Sequence, residues 1–322
     1  MIIAKTPLRI PFAGGLTDLK DYATDYGGVT ISATIDKYVY VILKENLGGY
    51  FRLRYQDVQE KVDELSHIKH DLIRESVRLL GMEKEALDLV VMADLAGESG
   101  LGTSGSVTVS LLNALHTYKG ESVTKQQLLE EASHIEVEVL GGASGYHDPS
   151  ICALGGLKKL EYDGPKVSHE DIPLPREDHQ AFEKSLLFFY GGRHNKSKPS
   201  LSILSSHLSD ATPILHEIKA LAYTLEDQFK KSDLAGVAHS IGEMQRLKQQ
   251  LPGQFVDDYV IDVVKRVRQT GAYAQLPGGK ISAFVIVCCP DEQQEEVRKV
   301  MLPDHKEVTL HFEQAGASLT QL

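Results

Sequence analysis

Apolar and polar residues alternate from Ile2 to Ala13, and the run ends at Gly14-Gly15. That is the pattern of a strand closed by a turn. Leu16 to Tyr26 fits a short helix, Gly27-Gly28 marks a second turn, and Val29 to Ile35 and Tyr38 to Leu43 are two β-rich runs. Residues 66–81 repeat Ile68, Leu72, Ile73, Val77 and Leu80 at helical spacing, which predicts a packing helix. Leu87 to Met92 reads as an apolar strand, and Val107, Leu111, Ala114, Leu115 and Tyr118 then recur as a helix face. Thr124 with Gln127 forms a capping-box pattern at the next helix, whose apolar face is Leu128, Ala132, Ile135 and Val139. Glu136 and Glu138 flank that face on opposite sides at nearly equal angles, so periodicity does not choose between them.

In the second half, the polar, proline-bearing stretch Asp163 to Glu177 is the expected domain boundary. Leu186 to Tyr190 predicts a buried strand. Residues 200–250 are helical, with Ile214, Ile218, Leu221 and Leu225 on one face. A helix at Val260 to Arg268, a strand at Ile281 to Cys289, a helix at Glu295 to Met301 and a strand at Val308 to Phe312 complete the pattern. The reading is α+β, divided into residues 1–170 and 171–322.

Composition narrows the chemistry. The 322 residues carry a net charge of −11, a poor match to nucleic acid or to an anionic membrane. An anionic substrate therefore needs a local basic site. Cys152, Cys288 and Cys289 are expected as buried thiols rather than a disulfide or metal set. No signal peptide or apolar run of membrane length is visible, so a cytoplasmic location is expected.

The stretch Asp94-Leu95-Ala96-Gly97-Glu98-Ser99-Gly100-Leu101-Gly102-Thr103-Ser104-Gly105-Ser106 stands between a strand and a helix start. Small residues let backbone N–H groups close on an anion, and a helix N-terminus adds partial positive charge. Phosphate is the expected guest, with an ordinary capped loop as the alternative. No Gly-Lys-Ser/Thr follows, so this is not the Walker loop. Arg9 and Asp18 lie near glycines, where turn and surface roles are the ordinary outcome. Asp148 before Pro149 reads as a helix cap, and His147-Asp148 also suggests acid/base chemistry. Arg193-His194-Asn195-Lys196-Ser197-Lys198 is a basic loop in an acidic chain, either solvated or a clamp for an anion.

Ser99-Gly100-Leu101-Gly102-Thr103-Ser104 resembles the central motif of the GHMP kinases, with Thr103 in place of a serine. Pro7-Leu8-Arg9 leading to Ala13-Gly14-Gly15-Leu16-Thr17-Asp18 is similar to the first motif, most closely that of the D-glycero-D-manno-heptose 7-phosphate kinases. Leu16 stands where that pattern has a third glycine. Glu136 precedes Asp148 by the twelve residues found there, and Ala153-Leu154-Gly155-Gly156 supplies the ending. Tyr146 replaces a lysine. The third motif departs most: of its glycine run only Gly278-Gly279 and Phe284 are kept.

The resemblance implies a two-domain GHMP kinase fold, with a ribosomal protein S5 domain 2-like N-terminal half and a ferredoxin-like C-terminal half. It implies ATP held by Gly97, Ser99, Gly100, Leu101, Gly102, Thr103, Ser104, Gly105 and Ser106. Mg²⁺ would be held by Ser104 and Glu136, with Asp148 and Arg9 catalytic. Gly14, Gly15, Thr17, Asp18, His147, Arg193, His194, Lys196, Gly278 and Gly279 would bind the acceptor, a small sugar or sugar phosphate. The expected function is phosphorylation of the anomeric hydroxyl of heptose 7-phosphate. The alternatives are a kinase for a neutral, galactose- or fucose-like sugar and a non-catalytic sugar and nucleotide sensor. A homodimer is left open.

Overall fold

The computed structural model describes residues 1–95, 97, 99–141, 144–193 and 197–322. Strand β1 (Ile2–Ala13) lies antiparallel to β2 (Gly28–Glu45), with helix α1 (Lys20–Tyr26) in the connection. Strand β2 is continuous over 18 residues where the sequence reads as two runs. Asp36 and Lys37 do not break it. Opposite them the register slips between Pro7 and Leu8, so the two residues form a bulge. That length gives β2 further neighbours: β6 (Leu157–Asp163) pairs along its first half and β5 (Leu87–Ala93) along its second. A hairpin of β3 (Phe51–Tyr55) and β4 (Val58–Val62), with no counterpart in the sequence reading, extends the sheet through a parallel β3–β5 pairing.

The expected boundary stretch is largely a hairpin of this first sheet, in which β7 (Lys166–Asp171) pairs with β6. Helix α6 (Arg176–Lys184) then leads to a second, antiparallel sheet. It is ordered β11 (Lys306–Glu307), β8 (Leu186–Tyr190), β10 (Phe284–Cys288), β9 (Tyr273–Gln275). The division at residue 170 fails at the chain's end. Strands β12 (Phe312–Glu313) and β13 (Ser318–Gln321) return to the first sheet, on β2 and β1. Val308 to Phe312 is therefore not one strand: Val308 N bonds Phe188 O in the small sheet, while Phe312 pairs with Ile35 in the large one.

Helices α2 (Asp71–Leu79), α3 (Thr103–Tyr118), α4 (Lys125–Ser133) and α5 (His147–Leu154) belong to the first half. Every residue of α3 from Gly105 to His116 is buried, which makes it the central helix. On the other side, α7 (Ser197–Ser206), α8 (Leu208–Lys230) and α9 (Leu234–Lys248) enclose an apolar cluster with Leu16, Leu19 and Tyr22. Helices α10 (Asp258–Gln269) and α11 (Gln294–Met301) cover the outer face of the small sheet. One apolar cluster runs through both sheets, from Phe12 and Leu111 to Phe182, Phe188, Phe229 and Phe284. The two halves thus share a core. Among the described residues no helix is long and apolar enough to cross a membrane.

Candidate active site

The loop before α3 turns in through Gly102, whose φ of 80° is a left-handed value that suits glycine. The first N–H groups of a helix have no partner within it, and here they face a cavity of 230 Å³. Ser99, Gly100, Gly102, Thr103 and Ser104 line it, together with Arg9, Asp148, Lys198, Gly278, Gly279 and Lys280. A larger cavity of 350 Å³ adjoins it and shares Arg9, Ser104, Asp148, Lys198, Gly278 and Gly279. Its other walls include Gly15, Leu16, Asp18, Leu19, Glu136, His147, Met244, Lys248 and Gln275.

Four of the expected loop residues do other work. Gly97 lines neither cavity and lies near Gln56. The Leu101 side chain is fully buried in the core, while its carbonyl accepts from the Arg9 amide. Gly105 is where α3 crosses α5: a Cβ there would stand 2.6 Å from Pro149 N. Ser106 is buried, its hydroxyl donating to Pro7 O at 2.8 Å.

Arg9 comes from the inner end of β1 and is nearly enclosed. Its Nε and Nη2 donate to Asp148 Oδ1 at 2.9 and 2.7 Å, and Nη1 donates to Gly100 O at 2.6 Å. One guanidinium therefore links the carboxylate to the loop before α3. His147 Nδ1 lies 3.0 Å from the same Oδ1, while its Nε2 meets Ser32 Oγ at 2.6 Å. A carboxylate only accepts, so Nδ1 carries the proton and Nε2 accepts from Ser32. Burial alone would raise the Asp148 carboxyl, but Arg9 and His147 outweigh it and hold the group well below its ordinary value.

Glu136 lies on a widened turn, His134–Val139, that continues α4. Leu140 N reaches back five residues to Ile135 O, and wide turns of this kind recur at functional sites. The turn buries Glu136 and aims it at α3, where it accepts from Thr108 Oγ1 at 2.9 Å and from Ser104. Glu138 faces outward instead, paired with Lys20 at 2.5 Å and with Tyr146 Oη at 3.0 Å. Tyr146, which replaces the family's lysine, thus turns into the core and away from the cleft. Burial pushes the Glu136 carboxyl up to about 7, against the Thr108 and Ser104 hydrogen bonds. A buried carboxylate facing only hydroxyl donors suits a hard divalent cation, which needs few protein oxygens when it keeps waters and phosphates. Among the described residues no group of three or more metal-ligating side chains is present.

Asp18 is buried with both oxygens engaged: Oδ1 accepts from Leu16 N at 3.0 Å and Oδ2 from His147 N at 3.1 Å. It ties the first glycine turn to the start of α5. Burial raises its carboxyl, partly offset by His147. Thr17, expected at the acceptor, is fully buried and closes the turn on Gly14 O and Val29 instead. Gly14 likewise packs on β2, where a Cβ would meet Val29 O at 1.9 Å, and lines neither cavity. Leu16, which stands where the resembled motif has a glycine, has a left-handed backbone with φ 76°.

The basic loop divides. Arg193 lies away from the cleft, over the Tyr259 ring at 4.0 Å and beside Asp257 at 3.4 Å. His194 and Lys196 lie outside the described residues. Lys198 does line both cavities. Sequence reasoning missed Lys248, which is 2% exposed, with its ammonium pushed down to about 7 by burial and by Arg9. The available signal was a lysine on the apolar stripe of a helix, in step with Ile241 and Met244. It also missed Thr108 and Ser32, whose neighbours are far away in sequence.

Residues 69–156 match the family described as GHMP kinases N terminal domain. Over 295 residues, and 86% of both chains, this chain is 22% identical to a D-glycero-alpha-D-manno-heptose 7-phosphate kinase of Campylobacter jejuni. A D-glycero-D-manno-heptose 1-phosphate kinase from Bacteroides thetaiotaomicron has the same fold, with TM-score 0.82, 21% identity, and 100% of this chain and 99% of that one covered. So has Streptococcus pneumoniae phosphomevalonate kinase, solved with phosphomevalonate and AMPPNP, at TM-score 0.79 and 14% identity over 97% of this chain and 100% of that one. The family match opens just before α2 and closes after α5, on a fold shared along the whole chain, and over that stretch this chain is similar to the N-terminal domain of the GHMP kinases.

Proposed function

We propose that this chain transfers the γ-phosphoryl group of ATP to a hydroxyl of a sugar or sugar phosphate, and that its acceptor is the anomeric hydroxyl of heptose 7-phosphate. One observation carries the reading: Asp148, gripped by Arg9, opens into the same cleft as the hydroxyl-lined loop and the buried Glu136. Ser99, Thr103, Ser104 and the first N–H groups of α3 would hold the phosphates. Ser104 and Glu136 would hold Mg²⁺, which when bound neutralises charge on the phosphates.

With three nitrogens on Oδ1, Asp148 offers Oδ2 to the incoming hydroxyl. The acceptor oxygen bonds to the γ-phosphorus, the bond from phosphorus to the ADP oxygen breaks, and ADP leaves with that electron pair. The hydroxyl proton passes to Asp148 or, through it, to solvent. A carboxylate held this acidic is a weak base, so its main part is to orient the hydroxyl. The Arg9 cation opposes the charge that builds on the transferring group.

The names of the Campylobacter and Bacteroides proteins support a heptose phosphate. A neutral sugar is the second reading, favoured by Arg193 standing outside the cleft. An ATP-coupled assay with heptose 7-phosphate against galactose, fucose and mannose separates them. Turnover of a neutral sugar alone rejects the heptose phosphate. ATP binding without turnover of any acceptor rejects the kinase in favour of a sensor.

A further inference from the structure

The inner face of α9 carries two polar side chains that the proposed phosphoryl transfer does not use. Lys248 Nζ donates to three main-chain carbonyls, Leu276 at 2.8 Å, Gly278 at 2.5 Å and Lys280 at 3.2 Å. Three acceptors around one nitrogen match the three N–H bonds of an ammonium, where a neutral amine has two. One turn earlier, the fully buried Gln245 accepts from Leu276 N at 2.9 Å. The two side chains of one helix therefore hold both polar groups of Leu276.

The segment they hold is the part of the sequence that departs most from its family. It lies directly on the phosphate loop. Gly278 has φ +83°, and a Cβ there would stand 3.0 Å from Gly100 O. Ser282 Oγ adds a bond of 2.7 Å to Ser99 O. In a trans peptide the C=O and the following N–H point in opposite directions. Drawing the Gly278 carbonyl onto Lys248 thus turns the Gly279 N–H the other way, and Gly279 lines the phosphate cavity.

We propose that Lys248 is a positioning residue: by holding the carbonyls of Leu276, Gly278 and Lys280 it aims the Gly279 amide at the phosphate chain, in place of the missing glycine run. The identity of the anion rests on the kinase reading. Binding does not require turnover, so inorganic tripolyphosphate and adenosine, titrated separately by calorimetry, test Lys248 even in a chain that transfers no phosphoryl group.

K248M is expected to weaken tripolyphosphate binding about tenfold or more and to leave adenosine binding within about twofold. G278A, which pushes the segment from its other side, is expected to do the same. The double variant should be no weaker than the weaker single, because both remove one arrangement. K248R keeps the charge, but its planar fork does not fit three converging carbonyls, so it should also lose tripolyphosphate affinity. If K248M does not fold, K248R and G278A carry the test. Wild-type tripolyphosphate affinity in K248R means that charge alone suffices and overturns the proposal. Additive losses in the double variant do so as well. Absence of kinase activity together with these binding losses would reject the kinase reading and keep Lys248 in its place.

Discussion

Arg9 places two nitrogens on a single oxygen of Asp148, at 2.9 and 2.7 Å, while its third reaches the Gly100 carbonyl at 2.6 Å. A lysine ammonium lacks the planar fork that puts two nitrogens on one oxygen while a third points at the loop. R9K is therefore expected to lose activity almost as fully as R9M, by about 10²–10³ in kcat. D148N should lose about 10²–10⁴. Steady-state kinetics decide it: R9K at wild-type kcat would show that charge, and not the bridge, is what matters.

Glu136 and Glu138 are two residues apart and face opposite environments. E136Q should remove the response to Mg²⁺, seen as loss of activity at every Mg²⁺ concentration and of the Mg²⁺-dependent thermal shift with nucleotide. E138Q should stay within about threefold of wild type, since it loses a half-exposed pair worth at most about 1 kcal/mol. Equal loss in both variants would contradict the assignment.

The raised Glu136 carboxyl also has a stability signature. Unfolded, the group titrates near its ordinary 4.5; folded, near 7. Between those values the folded state binds the extra proton, so stability falls as pH rises through that window and the full penalty is present above it. E136Q removes the penalty. Without metal it should melt above wild type at pH 8, by at most about 3 kcal/mol of stability, with the gap closing below pH 4.5. A gap that does not vary with pH would rule out this origin.

Leu16 holds a left-handed backbone while its side chain lines the larger cavity and packs with Leu19, Leu201 and Met244. L16G relieves strain of about 1–2 kcal/mol. It also deletes a buried side chain worth about 2–5 kcal/mol. Packing wins, so the variant should be less stable by about 1–3 kcal/mol, with a raised KM for the acceptor and an unaltered KM for ATP. A variant more stable than wild type would show that Leu16 is only strain.

Arg193 and Lys198 belong to one basic stretch of sequence, and of the two only Lys198, at the start of α7, lines the cleft. R193A should leave both KM values within about twofold, whereas K198A should raise at least one about tenfold. The reverse ranking would place the anion beside Tyr259 and Asp257.

The strands and helices that frame the cleft were largely legible because their signals are local. The Leu87–Met92 run, the loop to Ser106 and the α3 face lie within one stretch of chain. That Arg9 and Asp148 belong to one site was reachable only through resemblance, since 139 residues separate them. The β3–β4 hairpin was missed, and Val308–Phe312 divided between two sheets, because pairing partners decide those segments.

Among the loop residues, sequence could nominate Gly105 and Ser106 but not see that α5 and Pro7 already occupy their surroundings. Periodicity left the choice between Glu136 and Glu138 open for a different reason, and resemblance alone named Glu136. Periodicity assumes a uniform turn, and the wide turn at His134–Val139 shifts the angle of each residue after it begins.

By itself the sequence determined the α+β character, the position of the glycine-rich loop at a helix start, and the burial of the three cysteines, because backbone propensity and apolar spacing act over a few residues. Tertiary structure alone decided which polar groups stand in the cleft. Arg193 was drawn away by Tyr259 and Asp257, and Lys248 was drawn in by the carbonyls of Leu276, Gly278 and Lys280. A charged group settles where its hydrogen bonds replace those to water, and residues remote in sequence supplied those partners.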